Sequence, residues 1–263
     1  MRRGVVPAWA YLLAALSLVF VAGPVVALLV RADWATLPAT LTSLAARQAL
    51  GLTAGTAVAA TVLCLLLGVP TALLRSRCPP PWATLLRAIG LIPLVLPPMV
   101  SGVALLAWLG RQGLAGHALA LMGVHIPFTT LAVVIAQTFV AWPFLVVTVE
   151  GALRTLPADC ERVAASLGAR PSRVFFTVTL PRLVPGLRAG VVLCFARAVG
   201  EFGATALFAG NLPGRTQTLP LAIYTAFNSG AAGQDLAVGL SVLLVLVAVL
   251  LLAASGRTSG REA

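Results

Sequence analysis

The chain has 263 residues, 60% of them hydrophobic and only 10% charged, with a mean hydropathy of +1.02; such a balance leaves too little polar surface to cover a water-soluble domain and excludes a soluble globular enzyme. All 18 basic residues are Arg, set against seven acids for a net charge of +11, and a chain without Lys carries no P-loop, so any nucleotide hydrolysis linked to it resides on another chain. The arginines sit between apolar runs rather than on one basic face, which excludes a nucleic-acid partner.

Six runs reach the length of about 20 apolar residues that a membrane-crossing helix needs. In chain order they are 8–30, 49–74, 88–109, 129–149, 189–210 and 236–254, an all-α, polytopic arrangement in one membrane domain. Arg2 and Arg3 precede the first run, but its apolar length exceeds the roughly 7 to 15 residues of a signal-peptide core, so it reads as a permanent span. With the amino terminus inside, 13 arginines fall on the inner side and four on the outer, Arg197 lying within the fifth span; the bias puts both termini in the cytoplasm. Trp9, Trp34, Trp82 and Trp108 stand near span ends, where interfacial anchoring and ordinary packing suit them equally. Pro24, Pro70, Pro93, Pro97, Pro98 and Pro143 interrupt the spans, as is tolerated where protein or water satisfies the freed carbonyls. Cys64, Cys78, Cys160 and Cys194 form no C-x-x-C pair and read as small apolar residues. His117 and His125 fall in the outer loop after span three, without partners at metal-ligand spacing. Gly51-x-x-x-Gly55 and Gly186-x-x-x-Gly190 match the small-residue packing pattern, which a chain with 24 Gly produces easily.

The segment 150–188, between spans four and five, is the only sizeable inner loop. It is patterned as a helix starting at Pro157, with Asp159 and Glu161 at the positive end of the dipole. Cys160, Val163, Ala164 and Leu167 recur at i, i+3, i+4 and i+7 on one face, and Gly168 supplies the stop. A second short helix, 172–179, is expected to end at Leu180-Pro181. The periodicity suits either a docking knob for a partner or an amphipathic helix on lipid headgroups.

The spacing Glu161-x-x-Ala164-x-x-x-Gly168-x9-Val178-x-Leu180-Pro181 resembles the EAA loop of the permease subunits of binding-protein-dependent ABC importers, E-A-A-x3-G-x9-I-x-L-P. Arg162 and Val163 occupy the places of the motif's Glu and first Ala, and the acid stands one residue earlier. The resemblance implies a type I ABC importer permease fold with a cytoplasmic coupling helix. It also implies an ATPase-docking set of Glu161, Val163, Ala164, Ala165, Leu167, Gly168, Val178, Leu180 and Pro181. The implied partners are an ATP-binding subunit, which carries ATP and Mg, an extracytoplasmic oxyanion-binding protein, and a second copy of the chain in the bilayer; this chain itself would hold no cofactor and catalyse nothing. Leu94-Val-Leu-Pro-Pro-Met-Val-Ser-Gly102, Arg197-Ala-Val-Gly-Glu-Phe-Gly-Ala-Thr205 and Gly214-Arg-Thr-Gln-Thr-Leu-Pro220 resemble the molybdate branch of the molybdate and sulfate permeases. That implies an inner-membrane importer of molybdate, with a sulfate, thiosulfate or tungstate permease as the alternative within the family. Outside it, the alternative is a channel or secondary transporter working without an ATPase. No anion-sensing domain is expected in the residues after the last span, 255–263.

Arg197 and Glu201 are expected about 12 Å and about 18 Å from the inner end of span five, near mid-membrane, at the 1.5 Å rise of a helix. Ionisable residues there need a partner or water and are functional candidates. At i, i+4 the two can pair on one helix face, with Gly200 and Gly203 admitting a neighbouring helix. Two readings stand: a pair that lines an anion pathway, or a neutralised pair that fixes helix packing.

Overall fold

A computed structural model of the chain describes residues 7–259; Arg2, Arg3 and Arg261 of the orientation count lie outside the described residues, as does the side chain of Arg257. Among the described residues all regular structure is helical. The long elements are α1 (Ala8–Arg31), α3 (Leu44–Arg77), α4 (Pro80–Val95), α5 (Pro98–Leu109), α7 (Thr130–Thr155), α10 (Leu180–Val199) and α13 (Ala231–Ser259), linked by the shorter α2 (Leu37–Thr42), α6 (Gly116–Leu121), α8 (Ala158–Ser166), α9 (Pro171–Val174), α11 (Gly203–Phe208) and α12 (Leu219–Phe227). Five helices are long and apolar enough to cross a membrane, and α4 with α5 supplies a sixth crossing if that bent pair acts as one span. The chain is a multi-pass membrane protein.

Local chemistry explains the starts and stops. Ser43 and Thr129 each accept a hydrogen bond from the N–H three residues on, at 3.2 Å, and so open α3 and α7, satisfying donors that have no partner inside the helix. α3 stops at Cys78, extended before Pro79, as the residue preceding a proline prefers.

The centre of the bundle is α7, whose Ala132, Ala136, Ala141, Leu145, Val146 and Val149 are inaccessible to solvent. Small residues let its neighbours approach. Ala57, Ala60 and Cys64 of α3, with Leu183, Cys194 and Ala198 of α10, close around it. A Cβ on Gly186 would lie 2.3 Å from that of Ala152, and one on Gly190 3.2 Å from Leu145 Cδ1, so Gly186-x-x-x-Gly190 does seat α10 on α7. Gly51 and Gly55, by contrast, meet nothing within 4 Å. In lipid, where tails are as apolar as Leu, this close van der Waals packing is what associates helices. α1 lies at the periphery against α13, through Leu28 and Leu29.

Three expectations are corrected. The third span, 88–109, is not one helix: α4 and α5 meet at 114°. Leu96 and Pro97, each preceding a proline, are both extended, and Pro98 opens α5, so the prolines break the helix instead of kinking it. The fifth span, 189–210, is displaced. Its helix runs unbroken from Pro171 to Val199 and ends at Gly200. It passes through Leu180-Pro181 because one π-helical turn, Phe175–Thr179, precedes the proline, and Leu180 N–H bonds back to Phe175 O; the shifted register relieves the ring's conflict with the turn before it. The segment 150–188 is accordingly mostly helix: α7 extends to Thr155, and only residues 156–157 and 167–170 are outside helices.

Candidate coupling and translocation site

Between α7 and α9 the chain makes a compact knob. Asp159 and Glu161 occupy the first turn of α8, where carboxylates complement the helix dipole. At its other end Gly168 adopts φ +82°; its N–H bonds to Ala165 O at 2.9 Å and that of Ala169 to Ala164 O at 3.1 Å, the paired closure of a Schellman motif. Pro171 then starts the next helix.

The side chains of α8 divide by exposure. Val163 and Leu167 are 60% and 83% exposed and Ala165 is exposed on another side of the helix, whereas Cys160 and Ala164, expected on the same face as Val163 and Leu167, are half-buried. Glu161 turns away from the free surface. Arg77 Nη2, on the last residue of α3, donates to its two oxygens at 3.0 and 2.9 Å, and Thr179 Oγ1 donates to Oε1 at 2.5 Å. Val178 and Leu180 are half-buried and Pro181 exposed on the helix behind α8. Of the residues expected to dock a partner, Val163 and Leu167, one turn apart, therefore share a free apolar surface, Gly168 aims it, and Glu161 fastens it down, while Ala165 is exposed on another side of the helix.

A buried ionic group escaped the sequence reading. Glu150, 4% exposed in the last turns of α7, meets Arg75 at 2.7 Å, Arg154 at 2.8 Å and Arg87. Arg75 is itself 2% exposed, and its Nε and Nη1 are buried without a hydrogen-bond partner among the described residues. The i, i+4 spacing of Glu150 and Arg154 was the only local signal; Arg75 and Arg87 come from other helices. Gln137, fully buried in α7 with both amide atoms unpartnered among the described residues, was missed as well.

At the far end of α10, Arg197 and Glu201 do pair, at 2.7 Å, though not on one helix. α10 ends at Val199, and Glu201 lies in the break before α11. The Glu201 side chain, 1% exposed, accepts the N–H of Ala204 at 2.8 Å, so it caps the first turn of α11 while neutralising Arg197, which is 25% exposed. Gly203 admits a neighbour from within the chain: its Cβ would fall 2.8 Å from Pro98 Cβ, and one on Gly102 would fall 2.9 Å from Leu207 Cβ, so α11 lies directly on α5. Gly200 is exposed with no packed neighbour.

Beyond α11 the Gly214-to-Pro220 stretch is a tied loop. Leu212 N–H bonds to Thr216 Oγ1 at 2.9 Å, Gln217 Nε2 to Asn211 Oδ1 at 2.9 Å, Asn211 Nδ2 to Thr225 Oγ1 at 2.8 Å, and Leu219 N–H to Thr53 Oγ1 at 2.7 Å. Thr216, tied into this loop by the bond from Leu212 N–H, is fully buried. His117, expected in a loop, lies on the short helix α6, and His125 lies in the loop after it; both are exposed, and no cluster of metal-ligating side chains occurs among the described residues.

Residues 65–257 match the family of binding-protein-dependent transport system inner membrane components, and the chain belongs to that family. It is 52% identical over 250 residues to the molybdenum transport system permease protein ModB of Mycobacterium bovis, covering 95% of this chain and 94% of that one. With the protein of the same name from Escherichia coli K12 it shares 39% identity over 187 residues, 70% of this chain and 82% of the relative. Its fold is similar to a chain in the crystal structure of a bacterial alginate ABC transporter in complex with alginate pentasaccharide-bound periplasmic protein, with a TM-score of 0.73 at 17% identity over 96% of this chain and 93% of that one.

Proposed function

We propose that this chain is the membrane-spanning permease subunit of an ATP-driven, binding-protein-dependent importer whose substrate is the oxyanion molybdate. The observation that carries the reading is the 52% identity to a molybdenum transport permease across nearly the whole of both chains. On this reading two copies form the pathway, a soluble binding protein delivers the anion at the end holding the tied 211–219 loop, and a separate subunit bearing ATP and Mg docks at the α8 end. The α8 end then faces the cytoplasm, as the arginine bias favours.

The chain's own residues suggest how a partner's movement would be transmitted. Val163 and Leu167 form the contact, and Glu161 holds α8 to α3 through Arg77. The continuous helix from Pro171 to Val199 is a rigid lever from the knob to the break at Gly200. There, Glu201 and Arg197 set the angle at which α11 meets α5. This role makes the pair an organiser of the break, with Arg197 held by a carboxylate and so a weak ligand for a passing anion.

The test is uptake of labelled molybdate into vesicles containing the permease, its ATPase and its binding protein. ATP-dependent uptake that excess sulfate inhibits only slightly supports the reading; uptake suppressed by equimolar sulfate moves the substrate to sulfate.

A further inference from the structure

A cavity of about 540 Å³ lies between α3, α4, α5 and α7, with Leu67, Thr71, Gly90, Pro93 and Trp142 among its walls, a volume in the range of ligand pockets. Its walls offer hydrocarbon. The hydroxyls of Thr71 and Thr138 donate to the carbonyls of Leu67 and Val134, each at 2.7 Å, so neither has a proton left to offer what fills the cavity.

The end of this cavity nearest α8 is strongly basic. Arg75 stands one turn beyond Thr71 on α3, Arg87 beside the lining residue Leu86 on α4, and Glu150 two turns beyond Trp142 on α7. Arg75 Nη1 reaches the wall itself: the point where a Cβ on Gly90 would stand is 3.3 Å from it and 3.3 Å from the Trp142 ring. Three guanidiniums share one carboxylate, leaving a local charge of two positive. Arg87 and Arg154 are 42% and 58% exposed at the front, while the Nε and Nη1 donors of Arg75 stay buried without a partner among the described residues. Buried polar atoms of that kind call for an unseen partner.

We propose that this is a binding site for an anionic phospholipid, its phosphate held by the Arg75, Arg87 and Arg154 cluster and an acyl chain lying in the cavity. An apolar slot running inward from a basic cluster at the membrane edge complements such a lipid at both ends. Basic pockets between membrane helices are recognised headgroup sites in general. The proposal stands apart from the choice of transported anion.

The full-length permease, delipidated in mild detergent, is titrated with phosphatidylglycerol and with phosphatidylcholine of the same chains, and bound lipid is counted by native mass spectrometry. Preference for phosphatidylglycerol by roughly tenfold or more is expected. The double variant Arg87→Gln with Arg154→Gln, which removes the excess charge, loses the preference. Leu67→Trp, which fills the cavity from its exposed side, weakens binding of both lipids. Excess inorganic sulfate leaves the lipid in place. Equal affinity of the wild type for the two lipids overturns the proposal even where a variant fails to fold. So does displacement of the lipid by sulfate, which marks a site for a free dianion. Lipid exclusion on cross-linking Leu67→Cys between two copies, which gives the cavity to a second chain, overturns it as well.

Discussion

Arg77, which ends α3, holds both oxygens of Glu161, 84 residues later in the chain, with a single nitrogen at 3.0 and 2.9 Å. The pair fixes where α8 sits relative to the bundle. Both side chains are partly exposed, 46% and 32%, so Glu161→Gln should cost less than about 1 kcal/mol of stability. Helical content and membrane insertion are expected to stay normal while transport coupled to ATP falls several-fold. Comparing transport with circular dichroism for Glu161→Gln and Arg77→Gln checks this; normal transport in both would remove the clamp from the mechanism.

Gly168 offers a cleaner perturbation, because a Cβ there meets nothing within 4 Å. The whole effect of substitution is therefore conformational. A β-branched residue at φ +82° is disfavoured by about 1 to 2 kcal/mol, whereas Asn tolerates the left-handed region. Gly168→Val should lose copurification of the ATPase, and Gly168→Asn should largely keep it. Equal behaviour of the two variants would show that the Schellman turn does not aim the docking surface.

The ion pair at the end of α10 predicts an asymmetry. Glu201 is the more deeply buried partner, so Arg197→Gln leaves a carboxylate stranded, at about 3 to 5 kcal/mol. Glu201→Gln costs less, since the amide oxygen can still accept the Ala204 N–H and Arg197 retains some access to water. The double Gln variant should regain assembly and uptake. Thermal unfolding midpoints and uptake for the three variants are the measurement; assembly without uptake in the double variant would assign Arg197 to the substrate path.

Orientation is open to labelling with an impermeant thiol reagent. Arg215→Cys, exposed in the loop after α11, should react from outside, and Ser172→Cys, exposed beside α8, only from inside. Thr216→Cys should stay silent from either side because Thr216 is buried. The opposite pattern would invert the chain in the membrane.

What was legible in the sequence follows from the range of the interactions involved. The first, second, fourth and sixth apolar runs and the helix ending at Gly168 depend on neighbours within a few residues, and they stand in the structure close to the positions expected, whereas the third run is broken and the fifth displaced. Leu180-Pro181 misled because proline is a local stop signal, and the π-helical turn that lets the helix pass it has no comparably local signature. Leu96-Pro97-Pro98 carried a break that apolarity alone hides. Glu150 could not be recognised as buried in an arginine cluster, since Arg75 and Arg87 reach it only once α3 and α4 have packed on α7. Likewise, Cys160 and Ala164 share a helical face with Val163 and Leu167 by periodicity, yet only the packing of α8 on the following helix decides which of them remain free.

The central claim is that the exposed apolar surface of α8 couples this chain to an ATPase. It is tested most directly by ATP hydrolysis in the reconstituted importer, measured with and without substrate-loaded binding protein, for the wild type and for Val163→Asp combined with Leu167→Asp. Both residues are exposed, so the double variant is expected to insert and fold normally but to lose stimulated hydrolysis and ATPase copurification together. Stimulation and copurification at wild-type levels would contradict the account.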